Sequence, residues 1–330
     1  MTTHVQTSGV ANSRLWIDRA ERYGLVIAWA VVILIFGILR PTSFLSWANF
    51  STIFGSQAVL VVLTLGLIVP LTAGDYDLSI AGNLTLSAMT IAVLNVYQHV
   101  PIGIAVLVAL GIGLVIGMIN AFLVLYFRIN SLIVTLGMGT FIHGITLWIC
   151  NSNTISGIDM ALVNAVIITR IFGIPIAFYY ALAIAGVLWY VLSMTALGQR
   201  LLFVGRGREV ARLSGIRLDR VRAGTFLVSG FLGSLAGVLS VGTLGAADPN
   251  SGLNYLLPAF AAAFLGATSI VPGRFNPIGS VIAVYFLVTG ITGLSIMGVS
   301  TFVQDLFYGG ALVIAVALSQ VVRGREEQLT

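Results

Sequence analysis

The chain has 330 residues, of which 58% are hydrophobic and 8% charged, with a mean hydropathy of +1.05. One soluble core cannot hide that much apolar surface, so the composition describes an integral membrane protein and argues against nucleic-acid binding despite the formal charge of +5. All sixteen basic residues are arginines, and without a lysine the Walker A pattern G-x-x-x-x-G-K-[ST] cannot be written, so the chain does not hydrolyse ATP by that route.

Residues 1–23 read as a polar cytoplasmic tail, with Arg14, Arg19 and Arg22 ahead of the first apolar run. Its last part suits either a short interfacial helix or solvated chain. No small-x-small cleavage site follows the run, so it is read as a retained first span, opening a single transmembrane domain over 24–330. Gly, Pro and polar punctuation then divides the sequence into ten apolar segments of spanning length. Their cores are 25–39, 53–72, 79–98, 102–125, 132–150, 174–197, 225–245, 255–271, 277–297 and 302–321. With both termini in the cytoplasm, fourteen of the sixteen arginines fall on the cytoplasmic side, and only Arg40 and Arg170 lie outside. The positive-inside rule favours this orientation of an all-α membrane protein over its inverse.

The second connection, PLTAGDYDLSIAG, carries Asp75 and Asp77 without a basic residue. A carboxylate deep in lipid is costly, so the two either reach water or face a polar interior. One reading is a helix-starting turn in which Asp77 or Ser79 caps the third span. The other is a broken helix whose backbone lines a solute path near Asp77, Ser79 and Asn83. Gly113, Gly117, Gly139, Gly230, Gly233 and Gly237 lie inside spans, where small residues let helices approach closely.

Two outward connections stand out. The segment 152–171 holds Asn153, Asp159, Asn164 and Arg170; the segment 246–254 holds Asp248, Asn250 and Asn254 in turn chemistry. Either could meet a partner that delivers solute. The one cysteine, Cys150, lies in an apolar run, and His4, His99 and His143 are far apart, so neither a disulfide, a metal site nor a catalytic set is expected. The most basic stretch, 198–224, holds seven arginines and reads as a cytoplasmic loop.

Four collinear stretches carry a resemblance. VGRGREVARLSGIRLDRVRAG in the basic loop is similar to the segment G-x-N-x-x-A-A-x-x-S-G-I-x-V-x-x-x-K. TAGDYDLSIAG is similar to T-G-G-I-D-L-S-V-G, and SLIVTLGMGTFIHGI to P-F-I-x-T-L-G-x-x-x-x-x-R-G. DPNSGLNYLLPAFAAAFLGATSIVPGR is similar to P-x-x-G-x-x-Y-E-L-x-A-I-A-A-x-x-L-G-G-T-S-x-x-G-G. These are patterns of the permease subunits of bacterial ABC importers for ribose, xylose, other simple sugars and polyols. The chain departs from them at Asp75 and Ala81, where glycines are usual, and at Arg206-Gly207, where Gly-Asn is usual. It departs again at His143, which replaces an arginine, and at Leu256, which replaces an acidic residue.

The resemblance implies an inner-membrane permease domain, working by alternating access for a monosaccharide or small polyol and requiring no cofactor. Its implied partners are cytoplasmic ABC ATPase subunits, a second permease copy or homologue, and an extracytoplasmic solute-binding protein. The segment 209–215 would couple to the ATPase, Glu209 and Arg212 through charge and Val210 and Leu213 by filling an apolar groove, with Gly215 at its end. Asp248, Asn250 and Asn254 would face the binding protein. The rival reading is an ion-coupled secondary transporter using Asp75 and Asp77. A membrane-embedded enzyme lacks a convergent catalytic set.

Overall fold

The computed structural model describes residues 8–300 and 302–329, with side chains from Arg22 to Ser319 except residue 301. It is built almost wholly of helices: α1 (Ser8–Leu39), α2 (Pro41–Phe44), α3 (Trp47–Ser56), α4 (Ala58–Thr72), α5 (Ser79–Ala92), α6 (Ile102–Tyr126), α7 (Ser131–Ile149) and α8 (Met160–Val163). Then come α9 (Ile176–Met194), α10 (Ala196–Arg206), α11 (Arg208–Leu213), α12 (Leu218–Leu244), α13 (Leu253–Gly266), α14 (Pro277–Ile296) and α15 (Phe302–Leu329). Single π-helical turns extend α5 (Val93–Tyr97) and α8 (Asn164–Ile168). Four two-residue strands form two antiparallel pairs: β1 (Ile155–Ser156) with β4 (Ala246–Ala247), and β2 (Arg170–Ile171) with β3 (Ile174–Pro175).

Nine helical segments among the described residues are long and apolar enough to cross a membrane, and α13 is a shorter apolar helix. The eighth expected span, 255–271, therefore shrinks to the 14 residues of α13. At 1.5 Å per residue that is about 21 Å, less than the hydrocarbon thickness. The first span extends back to Ser8, so residues 8–23 are helical and continuous with it, while residues 1–7 of the expected tail lie outside the described residues.

Burial follows the apolar pattern. α4 is hydrophobic all round, as a central helix must be, and all fifteen of its residues are buried. α12 packs against α4, α5 and α6. Its crossing with α6 is close because a Cβ on Gly230 would meet the Gly113 carbonyl at 2.3 Å and one on Gly113 the Gly230 carbonyl at 2.5 Å. Gly233 and Gly237 fit α12 to α5 in the same way, against Ile80 and the Leu84 carbonyl. At the periphery α1 is held by Trp29, whose indole N–H donates to Thr289 Oγ1 at 2.9 Å.

The basic stretch is helical for most of its length. Thr195 caps α10 by accepting from Gly198 N–H, and Leu201, Val204 and Ala211 turn inward while Arg200 and Arg212 are exposed. Short amphipathic helices at a membrane face bury one side this way, and a sequence rich in arginine does not display it.

Connections expected on one side meet there. Asp75 contacts Arg208 and Arg222, and the Arg22 carbonyl accepts from Ile270 N–H at 2.9 Å. On the other side β1 and β4 join the two outward connections into one surface.

Candidate functional site

The connection between α4 and α5 is held by hydrogen bonds from three other helices. α4 ends at Thr72, and Gly74, at φ +76, turns the chain in a conformation that a side chain would strain. Asp75 is 1% exposed. Arg222 of α12 grips its carboxylate bidentately, Nε to Oδ2 at 2.7 Å and Nη2 to Oδ1 at 2.8 Å. Arg208, the first residue of α11, donates to Oδ1 and to the Gly74 carbonyl, both at 3.0 Å. Two guanidiniums on one buried carboxylate provide charge-assisted bonds that offset its desolvation. Beside them α10 docks backbone to backbone, since a Cβ on Gly205 would lie 2.1 Å from the Thr72 carbonyl.

The same turn is fastened to α7. Tyr76 N–H donates to Ser131 Oγ at 3.1 Å, and Leu78 N–H to Thr135 Oγ1 at 3.0 Å. Asp77, also 1% exposed, accepts from Ser79 N–H at 3.0 Å, from Ser79 Oγ at 2.6 Å and from Ser229 Oγ at 2.6 Å. The Ser79 N–H bond is a cap on the start of α5. Burial pushes the Asp77 carboxyl above its ordinary range, against the pull of the Ser229 and Ser79 hydroxyls and nearby backbone N–H groups. Ser79 accepts from Asn120 of α6 at 2.7 Å, and Asn83 donates to the Gly230 carbonyl of α12 at 2.6 Å. Thus Asp77, Ser79 and Asn83, expected beside a solute path, form a buried polar seam joining α5 to α6 and α12.

α11 hangs from this assembly by its first residue. Ala211 is buried, whereas Val210 and Leu213 are 58% and 80% exposed. Glu209 and Arg212 pair on the exposed side, where an ion pair contributes little stability. Gly215, at φ +80, follows the helix end. Between α11, the α6–α7 turn and the start of α12 lies a wide basic cavity of about 1560 Å³, bordered by Arg128, Arg212, Arg217 and Arg220.

On the opposite side Asp248, Asn250 and Asn254 are exposed, and Asp248 accepts from Asn250 N–H at 2.8 Å. Asp159 caps α8 and bonds through its N–H to Asn95 at 2.9 Å, tying the other outward connection to the end of α5. Paired through β1 and β4, the two rival outward segments make one face.

Comparison with known proteins places this architecture. Residues 49–316 match the family described as branched-chain amino acid transport system / permease component. The chain belongs to this permease family. It is 32% identical over 302 residues to the D-allose transport system permease protein of Escherichia coli K12, covering 92% of each chain. It is 31% identical to the ribose import permease protein of Bacillus subtilis, over 91% of this chain and 93% of that one. The galactose/methyl galactoside import permease protein of Escherichia coli K12 is 27% identical, over 96% of this chain and 99% of that one. No solved structure matches the chain.

The family match spans α3 to most of α15, so the permease turn at 73–78 and the arginine helices both lie inside it. Sequence reasoning passed over Arg208, Arg222 and Ser229 as partners of the two carboxylates. A signal was present: Arg222 and Ser229 are seven residues apart, two helical turns on one face of α12, able to meet alternate residues of a single turn.

Proposed function

We propose that this chain is the transmembrane subunit of an ATP-driven importer in the bacterial inner membrane, carrying a monosaccharide or related small polyol by alternating access. A separate cytoplasmic ATPase supplies the energy through Glu209, Val210, Arg212, Leu213 and Gly215. An extracytoplasmic binding protein docks on the face that includes Asp248, Asn250 and Asn254, and a second permease copy or homologue completes the assembly. The observation that carries this reading is α11: a six-residue helix with two large apolar side chains turned outward, rooted by Arg208 in the buried turn at Asp75. An exposed Leu213 at the end of a short amphipathic helix suits an apolar groove, with the Glu209–Arg212 pair at the rim.

Movement of α11 is relayed in this reading by the turn at 73–78, because that turn also holds α7, α12 and the start of α5. Asp77, Ser79 and Asn83 keep α5 registered against α6 and α12 during that motion and border the path from behind. The sugar class follows the relatives named for allose, ribose and galactose, while the family description names branched-chain amino acids.

The ion-coupled alternative needs a carboxylate that releases and rebinds a cation. Asp75 is already gripped by two guanidiniums, and Asp77 is 1% exposed and enclosed by Ser79 and Ser229, so neither carboxylate is open to a passing cation. The test is reconstitution of the chain alone and with its ATPase and binding protein. ATP-dependent uptake of a sugar only by the full assembly supports the reading, and ion-gradient-driven uptake by the chain alone refutes it. For the contact itself, Glu209→Arg combined with Leu213→Asp should abolish ATPase co-purification while leaving membrane insertion intact.

A further inference from the structure

Ser79 and Asn83 of the seam lie on one face of α5, with Asp77 in the turn just before it. The adjoining face, at Gly82 and Thr85, looks across a crevice of about 150 Å³ toward Thr140 and His143 of α7 and Leu253 and Leu256 of α13. The chain reaches this crevice by folding back into the molecule. α12 ends at Leu244, yet Gly252 N–H donates to Thr85 Oγ1 at 2.9 Å, and a Cβ on Gly252 would lie 2.2 Å from the Ala81 carbonyl. Gly237, seven residues before the end of α12, packs against the neighbouring Leu84 carbonyl. The turn before Gly252 therefore dips about 10 Å below the end of α12. α13 therefore starts below the level at which α12 ends and needs only 14 residues, although Leu253 and Asn254 at its start keep exposed side chains. Irregular backbone at such depth is tolerated where it is buried in protein or lines a polar cavity.

The chemistry of the crevice is specific. His143 is the only ionisable side chain on its walls, it is half-buried, and it forms no hydrogen bond among the described residues. Thr140 is exposed, and its hydroxyl gives its proton to the Leu136 carbonyl, leaving the oxygen as an acceptor. Two of the positions where the sequence departs from the sugar-permease patterns, His143 and Leu256, fall on this one crevice, so its walls are this chain's own rather than those of the pattern.

Resting on the function proposed above, we infer that this crevice between α5, α7 and α13 is the solute-contact point of the permease, that His143 is its main polar contact, and that it takes an uncharged polyhydroxylated solute rather than a zwitterionic amino acid. Hydroxyls can exchange hydrogen bonds with the imidazole and with Thr140 while sugar C–H faces rest on Leu253 and Leu256. A zwitterion would bring a carboxylate and an ammonium to walls that hold no carboxylate and no guanidinium, and would lose its hydration without replacement.

The test uses the full assembly with its ATPase in proteoliposomes. Cys150 is 2% exposed, so Thr140→Cys supplies the reactive thiol. D-Allose, D-ribose, D-galactose and L-leucine are each added at millimolar concentration during thiosulfonate labelling. At least one sugar should slow modification about tenfold, and leucine should leave it unchanged. In parallel, His143→Gln and His143→Ala should lower sugar uptake about tenfold or more, with ATPase co-purification retained. Equal labelling with every sugar, protection by leucine, or wild-type uptake in both His143 variants overturns the inference. Wild-type uptake in the same vesicles separates the failures: sugar uptake without protection defeats the crevice alone, whereas absence of any sugar uptake defeats the sugar reading and the crevice with it.

Discussion

Asp75 and Asp77 sit two residues apart, are equally buried, and are satisfied in opposite ways. Asp75 is held by charge, from Arg208 and Arg222 on the helices of the basic stretch. Asp77 is held by hydroxyls and a helix start, from Ser79 and Ser229, with no cation within ion-pair distance among the described residues. The first arrangement ties the turn to the helices of the basic stretch, and the second fixes where α5 begins against α12. A buried ion pair is sensitive to loss of either partner, whereas a hydroxyl cluster tolerates a neutral substitute; the two regions therefore differ in what breaks them.

Asp75→Leu should have the largest effect, because it leaves Arg222, whose side chain is 13% exposed, buried without its partner. The expected cost is about 3–5 kcal/mol, read as a lower unfolding midpoint in detergent. Adding Arg222→Met should restore most of the stability while uptake stays low, since the apolar pair packs but no longer grips α11. Recovery of full uptake in that double variant would deny the turn its relay role.

Ser229→Ala comes next. It leaves Asp77 Oδ2 without its donor, for about 1–3 kcal/mol, with ATPase co-purification unchanged. Arg208→Gln should cost under about 1 kcal/mol because that side chain is 47% exposed and screened by water. It should nevertheless reduce ATP-driven uptake, so parallel stability and transport assays distinguish the two carboxylates. The smallest effect concerns pH. Burial raises the folded carboxyl of Asp77, so above about pH 4 the unfolded chain releases a proton that the folded chain still holds. Its contribution is full below that pH and is lost as pH rises through the raised folded value. Asp77→Asn should flatten that part of the thermal-stability profile, and an unchanged slope would place the titration elsewhere.

The membrane class, the number of spanning helices to within one short element and the shared sides of the connections were legible in the sequence, because hydropathy and arginine placement act locally along the chain. Span lengths were less so. The apolar run at 255–271 looks long enough to cross, yet α13 stops at Gly266, where a Cβ would meet the Ser280 backbone at 2.5 Å. The helical form of the basic stretch was hidden by its seven arginines, since the inward-facing Leu201, Val204 and Ala211 are few and widely spaced.

By itself the sequence determined that this chain lives in a membrane, lacks a lysine for phosphate binding, and gathers seven of its sixteen arginines in one connection. Those properties follow from residue types and short spacings. Only the tertiary structure decided that Asp75 meets Arg208 and Arg222, more than 130 residues away, and that Asp77 meets Ser229. It alone placed the turn before Gly252 against α5. The reason is geometric: burial of a carboxylate is specified by its solvent cost, but which of sixteen arginines neutralises it depends on how helices cross, and glycine contacts between distant helices set those crossings.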